Sequence, residues 1–240
     1  MSLNTATIHY LNLKKYIQNH LKKTQSSGSI LFYGSNNERK LELAMYMGLM
    51  LNCNNITKNN PCGSCDSCLR LVKFNYPDLH LLLPLPSEKK IEAEAIALWK
   101  KLFTSNNRLS FLQWKKTLAS ETGIKKELSI SSEKISQIKK ILSLKNFEAK
   151  KRIVLIWCSE KLTLQASNKL LKVLEEPPKN TYFFLIADDK HEMIDTVNSR
   201  LEKIHVKGTI NSSILQNKTV LKNSLKNRVT ERKEEYENMN

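Results

Sequence analysis

The sequence contains no long apolar stretch. Nowhere do its 240 residues reach the roughly 18 consecutive apolar residues of a membrane-spanning helix, and residues 1–23 lack an apolar segment behind a basic head. We therefore expect neither a spanning helix nor a secretory signal peptide, and we predict a cytoplasmic location. With 40% hydrophobic residues, the chain can still bury a globular core.

Acidic residues are few compared with basic ones. The chain has 39 Lys and Arg residues against 23 Asp and Glu residues, which gives a net charge of +16. Such a charge favours a polyanionic neighbourhood, because neutralising phosphates is what a basic surface does best. The lysines are spread along the whole chain, so the charge locates no binding face. A basic protein that binds nucleic acid is therefore one hypothesis for the function.

Short apolar runs alternate with segments of helical periodicity. Strands are predicted at 29–33, 78–83, 152–157, 181–187 and 202–206, and helices at 8–21, 41–51, 132–144, 162–175 and 191–197. Strands that are apolar throughout are typical of a parallel sheet covered on both faces. The pattern therefore predicts an α/β fold with helices on both faces of the sheet.

Two segments depart from this alternation. Residues 88–126 are charged and helical, and we interpret them as an inserted helical pair whose aromatic residues serve core packing; these are Trp99, Phe103, Phe111 and Trp114. Residues 208–240 are polar, and we expect a partly helical tail there. The main domain is predicted to span residues 1–207.

The loop after the first predicted strand matches a P-loop only in part. A working loop has the pattern Gly-x-x-x-x-Gly-Lys-Ser/Thr, in which backbone N–H groups and the Lys hold phosphates and the hydroxyl holds Mg²⁺. Gly34 and Lys40 are in register, but Arg39 replaces the second Gly and Leu41 replaces the Ser or Thr. A bulky side chain keeps the backbone from phosphate, and Leu cannot bind a metal. We predict a vestigial loop that does not bind ATP productively.

The acidic pair of an ATP site is absent as well. It should follow the strand predicted at 152–157, where carboxylates hold Mg²⁺ and orient water. The chain has Trp157 and Cys158 there. The alternative hypothesis, an unusual ATPase or nucleotide kinase, is therefore supported by Gly34 and Lys40 alone.

Four of the five cysteines lie within one short segment. Cys53, Cys62, Cys65 and Cys68 have the spacing C-x₈-C-x₂-C-x₂-C, and four thiolates complete a closed tetrahedral zinc shell. We predict a structural zinc knuckle over residues 53–68. A nucleic-acid-binding zinc module, helped by Lys58, Arg70 and Lys73, is the less favoured alternative. Cys158 is expected only to pack in the core.

Two motifs carry a resemblance to a known family. The string NKLLKVLEEPP at 168–178, followed after an apolar strand by Asn198-Ser199-Arg200, is similar to clamp-loader subunits of bacterial DNA polymerase III, which are AAA+ proteins. The cysteine cluster after the P-loop helix is a further match. The resemblance covers residues 8–206 and implies a P-loop AAA+ (RecA-like) fold. Among the clamp-loader types, the degenerate ATP site favours the non-hydrolysing delta-prime type over the motor type (tau/gamma).

The resemblance also implies roles for particular residues and partners. Arg200 would act as an arginine finger on ATP bound by a neighbouring motor subunit, and Ser199 would support it. The expected partners are the motor subunit and the delta subunit, with the sliding clamp and primer-template DNA reached through the complex and no membrane. Leu201 stands where the family usually has Cys. The helical lid and collar domains of the family are not expected in this shortened chain. An ATP-binding motor-type subunit is the alternative within the family.

Overall fold

A parallel sheet forms the centre of the molecule. The computed structural model describes residues 6–7, 19, 27–35, 37–57, 60–87, 89–104, 109–144 and 147–206, so most of the helix predicted at 8–21 and the whole tail at 208–240 lie outside the described residues. The strands are β1 Ala6–Thr7, β2 Gly28–Tyr33, β3 Leu79–Leu82, β4 Arg152–Trp157, β5 Thr181–Ala187 and β6 Glu202–His205. Their order is β1-β6-β2-β5-β4-β3, and every pair is parallel. The short strand β1 was not predicted.

Helices connect the strands and cover both faces. They are α1 Asn37–Asn52, α2 Asp66–Val72, α3 Glu92–Thr104, α4 Phe111–Thr122, α5 Ser132–Leu142, α6 Leu164–Glu175 and α7 Asp195–Asn198, with 3₁₀ turns at Lys89–Ile91, Ser159–Lys161 and Lys190–Glu192. Thr163 begins α6 by accepting a hydrogen bond from the backbone N–H of Ala166, and two prolines follow its end. None of the described helices is long and apolar enough to cross a membrane.

The two faces of the sheet have separate cores. Along β4, the side chains of Ile153, Leu155 and Trp157 join the core beneath α1 to α4, whereas Val154 and Ile156 join the core beneath α5 and α6. This alternation is the period of two expected for a strand buried on both sides. The predicted fold class, a parallel α/β sheet with helices on both faces, is confirmed.

The inserted segment packs into the first core through its aromatic residues. Trp99 on α3 and Trp114 on α4 are both fully buried. The indole N–H of Trp114 donates to the carbonyl of Pro84 at 3.0 Å. These two rings are therefore not available as a stacking platform for nucleic-acid bases.

The prediction of one helix at 191–197 was wrong. The chain forms a 3₁₀ turn at Lys190–Glu192, becomes extended at Met193 and Ile194, and then forms the single-turn helix α7. The carboxylate of Asp189 caps the first turn by accepting from the backbone N–H of His191. Met193 and Val197 are both buried, as a continuous helix would also allow, so the interruption is not explained by their burial.

Candidate functional site

The carboxyl ends of β2 and β5 meet at a point where ligands often bind in α/β proteins. These strands are neighbours, with Tyr33 opposite Ala187. The chain leaves β2 toward β3 on one side of the sheet and leaves β5 toward β6 on the other side. Such a divergence opens a crevice beyond the strand ends. The vestigial P-loop residues Gly34 and Lys40 lie here.

Lys40 is fully buried and bonds to the protein itself. Its ammonium donates to the carbonyl of Ala187 at 2.6 Å, to the Asp188 carboxylate at 2.7 Å and to the carbonyl of Gly34. An ammonium group has three donors. All three are used by these contacts, so Lys40 offers no hydrogen to a phosphate in this arrangement.

Gly34 has a packing role of its own. Its φ angle is 133°, and a Cβ atom at this position would lie 2.4 Å from the carbonyl oxygen of Val206. The backbone N–H of Gly34 donates to the carbonyl of Asp188 at 3.1 Å, and that of Val206 donates to Tyr33 at 2.8 Å. The absence of a side chain at Gly34 thus lets the end of β6 pack against the loop. The backbone N–H of Gly34 is already hydrogen-bonded within the protein and is not free to bind a phosphate.

The place of the magnesium-binding acids is filled with apolar groups. Trp157 is fully buried, and its ring meets that of Trp99 edge-to-face, with 5.6 Å between the centroids. Cys158 is 2% exposed, and burial raises the pKa of its thiol well above the usual value. A neutral thiol is a poor ligand for Mg²⁺, which prefers oxygen. Positions 157 and 158, at the end of β4, therefore carry no carboxylate.

Glu160 is a residue whose importance the sequence did not reveal. It lies in the 3₁₀ turn after β4, and its Oε2 atom is buried without a hydrogen-bond partner among the described residues. Burial, aided by the Asp188 carboxylate, raises the pKa of its carboxyl group to about 7, although its own backbone N–H and Lys40 oppose the shift. When it is ionised, this carboxyl group adds a negative charge beside Lys40 and Asp188, where a bound nucleotide would have its phosphates. Like charges repel, so this charge disfavours phosphate binding.

Arg200 lies at the opposite edge of the sheet. It follows α7 and precedes β6, whose last residue, His205, is paired with Tyr33. The length of β6, about 10 Å at 3.3 Å per residue, separates Arg200 from the edge that holds Lys40. The structure therefore does not place these two predicted site residues side by side.

The side chain of Arg200 is partly exposed and held by two neighbours. Its Nη1 atom donates to the carbonyl of Thr196 at 2.9 Å, and its Nη2 atom forms an ion pair with Glu175. The hydroxyl of Ser199 donates to the same Thr196 carbonyl at 3.0 Å. Ser199 and Arg200 therefore share an acceptor on α7.

The four clustered cysteines converge as a metal site would require. Their sulfur atoms all lie within 4.8 Å of one another, and the Cys53 and Cys62 sulfurs are 3.6 Å apart. Ligands of a tetrahedral zinc ion with Zn–S bonds near 2.3 Å would be about 3.8 Å apart. The donor set and its spacing therefore fit a metal ion.

Backbone N–H groups favour the thiolate form of Cys62, whereas burial raises the pKa of the Cys53 and Cys68 thiols. The N–H of Cys62 donates to the Cys53 sulfur, and that of Cys65 donates to the Cys62 sulfur, both at 3.3 Å. Burial alone would raise the pKa of Cys62, but the N–H groups of Cys65 and Ser64 outweigh it and lower this pKa to about 6. Gly63, with φ at 71°, supplies the turn between the ligands.

Comparison with known proteins identifies the family. A family model described as DNA polymerase III, delta subunit, matches residues 11–209. The chain belongs to this family.

Curated members of the DNA polymerase III group are similar to the chain over most of its length. The DNA polymerase III subunit delta' of Bacillus subtilis is 26% identical over 190 residues, covering 79% of this chain and 45% of that protein. That of Buchnera aphidicola is 30% identical over 159 residues, or 66% of this chain and 37% of that protein. The subunit tau/gamma of Haemophilus influenzae is 24% identical over 83% of this chain and 23% of that protein. The chain thus spans less than half the length of these relatives.

A solved structure aligns with most of the chain. A DNA polymerase III gamma subunit-related protein from Thermotoga maritima aligns with a TM-score of 0.47 and 16% identity, covering 90% of this chain and 56% of the other.

Proposed function

We propose that this member of the DNA polymerase III delta subunit family acts in DNA replication as a delta-prime-type clamp-loader subunit that does not hydrolyse ATP. The observation that carries the proposal is the internal saturation of Lys40, whose three donors contact Gly34, Ala187 and Asp188. A motor subunit would need this ammonium for the outer phosphates.

The opposite side of the nucleotide crevice supports the same conclusion. Trp157 and Cys158 occupy the positions of the acidic pair, and both are buried. Glu160 adds a carboxyl group where phosphates would lie. These features favour the non-hydrolysing subunit over the motor-type alternative.

Arg200 is the group proposed to act on ATP, in trans. A guanidinium beside the transferring phosphoryl group stabilises its charge, an effect of about a thousandfold or more in known enzymes. Arg200 is on the far edge of the sheet from its own nucleotide crevice, which suits action on a neighbour's ATP. Ser199 supports it through the shared Thr196 carbonyl.

The proposed partners are those of a clamp loader. The named relatives are delta' and tau/gamma subunits of one polymerase. We propose that the chain binds a tau/gamma-type motor subunit and a delta subunit, and that it meets the sliding clamp and primer-template DNA through that complex in the cytoplasm.

The cysteine cluster is proposed to bind one structural zinc ion. Four thiolates leave no coordination position open, so the metal would hold the segment between α1 and α2 together rather than act on a substrate. Metal analysis of the purified protein should give one zinc per chain, Cys65→Ser should abolish it, and Cys158→Ala should retain it. Zinc retained by Cys65→Ser would contradict the assignment.

Two measurements test the proposed role in ATP hydrolysis. The chain alone should show no binding of MgATP by calorimetry and no turnover. In a complex reconstituted with the motor and delta subunits, Arg200→Ala should lower clamp- and DNA-stimulated ATP hydrolysis, whereas Lys116→Ala, an exposed change on α4, should not. Tight binding and turnover by the chain alone would instead favour the motor-type alternative, and an unchanged rate for Arg200→Ala would exclude the finger role.

A further inference from the structure

The two sequence motifs that resemble the clamp-loader family are in direct contact through one ion pair. Glu175 belongs to the string at 168–178, and Arg200 ends the second motif, 25 residues later. The sequence gives no reason to connect them. In the folded chain, the Glu175 carboxylate accepts from Nη2 of Arg200 while the Thr196 carbonyl accepts from Nη1.

Both acceptors are attached to well-packed elements. Glu175 is the last residue of α6, directly after the buried Val173 and Leu174. Thr196 precedes Val197, which is fully buried in the same core. The core therefore sets the position of the Thr196 carbonyl and of the Glu175 backbone, and the two acceptors together restrict a long side chain that would otherwise sample many rotamers.

The ion pair is too weak to keep Arg200 away from a phosphate. The side chains of Arg200 and Glu175 are 37% and 47% exposed. A pair this exposed shifts an equilibrium by no more than about fivefold. A nucleotide phosphate carries more charge than one carboxylate and would compete easily, so an inhibitory latch is not the main effect of this contact.

The contact leaves the guanidinium able to bind a second anion. A guanidinium has five N–H donors, of which the two described hydrogen bonds use two. The exposed part of the side chain keeps the other donors accessible from solvent.

From this geometry we propose that Glu175 is the positioning residue of Arg200. Together with the Thr196 carbonyl, it orders the guanidinium before the guanidinium meets the triphosphate of a neighbouring subunit. The inference rests on the proposed function of Arg200. Ordering the side chain in advance reduces the entropy lost when the finger engages the phosphoryl group.

The test uses the reconstituted complex of this chain with its motor and delta subunits, sliding clamp and primed DNA. The kcat and KM of ATP hydrolysis are compared for the parent, Arg200→Ala, Glu175→Ala, Glu175→Gln and the double variant Glu175→Ala/Arg200→Ala. Glu176→Ala is the matched control, because Glu176 is the adjacent glutamate and is exposed.

The expected pattern is specific to positioning. Glu175→Ala should lower kcat by about two- to fivefold, the most that so exposed a pair can contribute, with KM for ATP little changed. Glu175→Gln should recover part of that loss because its amide oxygen still accepts a hydrogen bond. The double variant should equal Arg200→Ala, and Glu176→Ala should equal the parent.

Other outcomes separate this inference from the proposed function. If Arg200→Ala lowers kcat and Glu175→Ala does not, the positioning role is excluded and the finger role stands. If Arg200→Ala has no effect, the proposed function itself fails. A further loss from Glu175→Ala in the Arg200→Ala background would also exclude positioning, since Glu175 would then act elsewhere. Complex formation, followed by size-exclusion chromatography, should be the same for all variants; a failure of Glu175→Ala to assemble would assign Glu175 to the interface and overturn the proposal.

Discussion

At Lys40, a side chain that would meet phosphate in a working P-loop instead joins the ends of β2 and β5. The sequence spacing of Gly34 and Lys40 predicted a vestigial loop, and the substitutions at Arg39 and Leu41 gave the physical reason. The sequence did not predict the ion pair between the Lys40 ammonium and Asp188, because the two residues are 148 positions apart. Only the pairing of β2 with β5 brings them together.

Lys40 should therefore matter for stability. In Lys40→Met, the carbonyls of Gly34 and Ala187 lose their donor and the Asp188 carboxylate loses its partner. We expect the free energy of unfolding to fall by about 2 kcal/mol, since Asp188 stays partly solvated. Urea unfolding checks this, with Lys116→Met as an exposed control that should change stability by less than about 0.5 kcal/mol. A lysine kept for nucleotide binding would show the reverse, with stability unchanged and affinity for MgATP lost.

Glu160 should make the stability of the protein depend on pH. Burial raises the pKa of its carboxyl group from 4.5 to about 7 in the folded chain. Between these values the folded protein binds a proton that the unfolded chain has released, so this group's contribution to stability is greatest below about pH 4.5 and falls until about pH 7.

The variant Glu160→Gln removes this titration. Relative to the parent, it should be more stable at pH 8 than at pH 5 by about 2 kcal/mol. Urea unfolding at the two pH values measures the difference, and Glu121→Gln, at an exposed position on α4, should show none. A gain for Glu160→Gln that is the same at both pH values would contradict the assignment.

At the scale of elements, the turn between α5 and β4 is held by Asp78, just before β3. The Asp78 carboxylate accepts from the backbone N–H groups of Phe147, Glu148 and Ala149 at 2.9 to 3.1 Å. It also faces Arg152, whose side chain is equally buried, at 3.6 Å. Burial would raise the pKa of Asp78, but the N–H groups and Arg152 together lower it below 3.8.

Asp78→Ala should consequently be severely destabilising. It leaves Arg152 as a buried cation without its carboxylate, a change that costs about 3 kcal/mol or more. The loss should shrink as the pH falls below 3.8, because a carboxylate with a lowered pKa stabilises the fold only while it is ionised. Urea unfolding tests both statements. Glu127→Ala, which removes the exposed partner of Lys115, should cost about 0.5 kcal/mol or less; an equally small loss for Asp78→Ala would refute the buried pair's role.

Elements were predictable where one local signal was strong. The strands at 152–157 and 181–187 were placed with their observed bounds because each is a continuous apolar run ended by polar residues. Helix α2 was missed, since its seven residues follow the cysteine turns and carry no repeated apolar pattern. The helix predicted at 191–197 failed because an extended pair of residues interrupts it, which periodicity alone does not show.

At the scale of the whole molecule, topology decides what the individual residues can do. Both Lys40 and Arg200 were candidate site residues in the sequence, one after the strand predicted at 29–33 and the other before the strand predicted at 202–206. The parallel order of β6, β2 and β5 puts Lys40 at the carboxyl edge and Arg200 at the amino edge. A guanidinium at that edge is suited to a nucleotide bound by another subunit. The proposed role of Arg200 therefore requires that this chain be assembled with that subunit.

The net charge of +16 should give the whole chain a weak and unselective affinity for DNA. Basic residues spread along the sequence neutralise phosphates without contacting base edges, so we expect Kd values of about 10⁻⁴ to 10⁻⁶ M at physiological salt for any duplex sequence. Fluorescence anisotropy between 50 and 200 mM salt measures both the affinity and its salt dependence, whose slope counts the phosphates contacted at about 0.9 each.

The same salt titration distinguishes DNA binding through the overall positive charge from DNA binding by a dedicated module at the cysteine cluster. Arg70, beside the cysteine cluster, already pairs with Glu148 at 2.6 Å and with Asp66 at 3.4 Å, so its charge is compensated within the chain. The variant Arg70→Ala should therefore leave the salt slope unchanged. A slope lower by about one phosphate would instead make the cluster a DNA contact, because each lost phosphate contact removes its own counterion release.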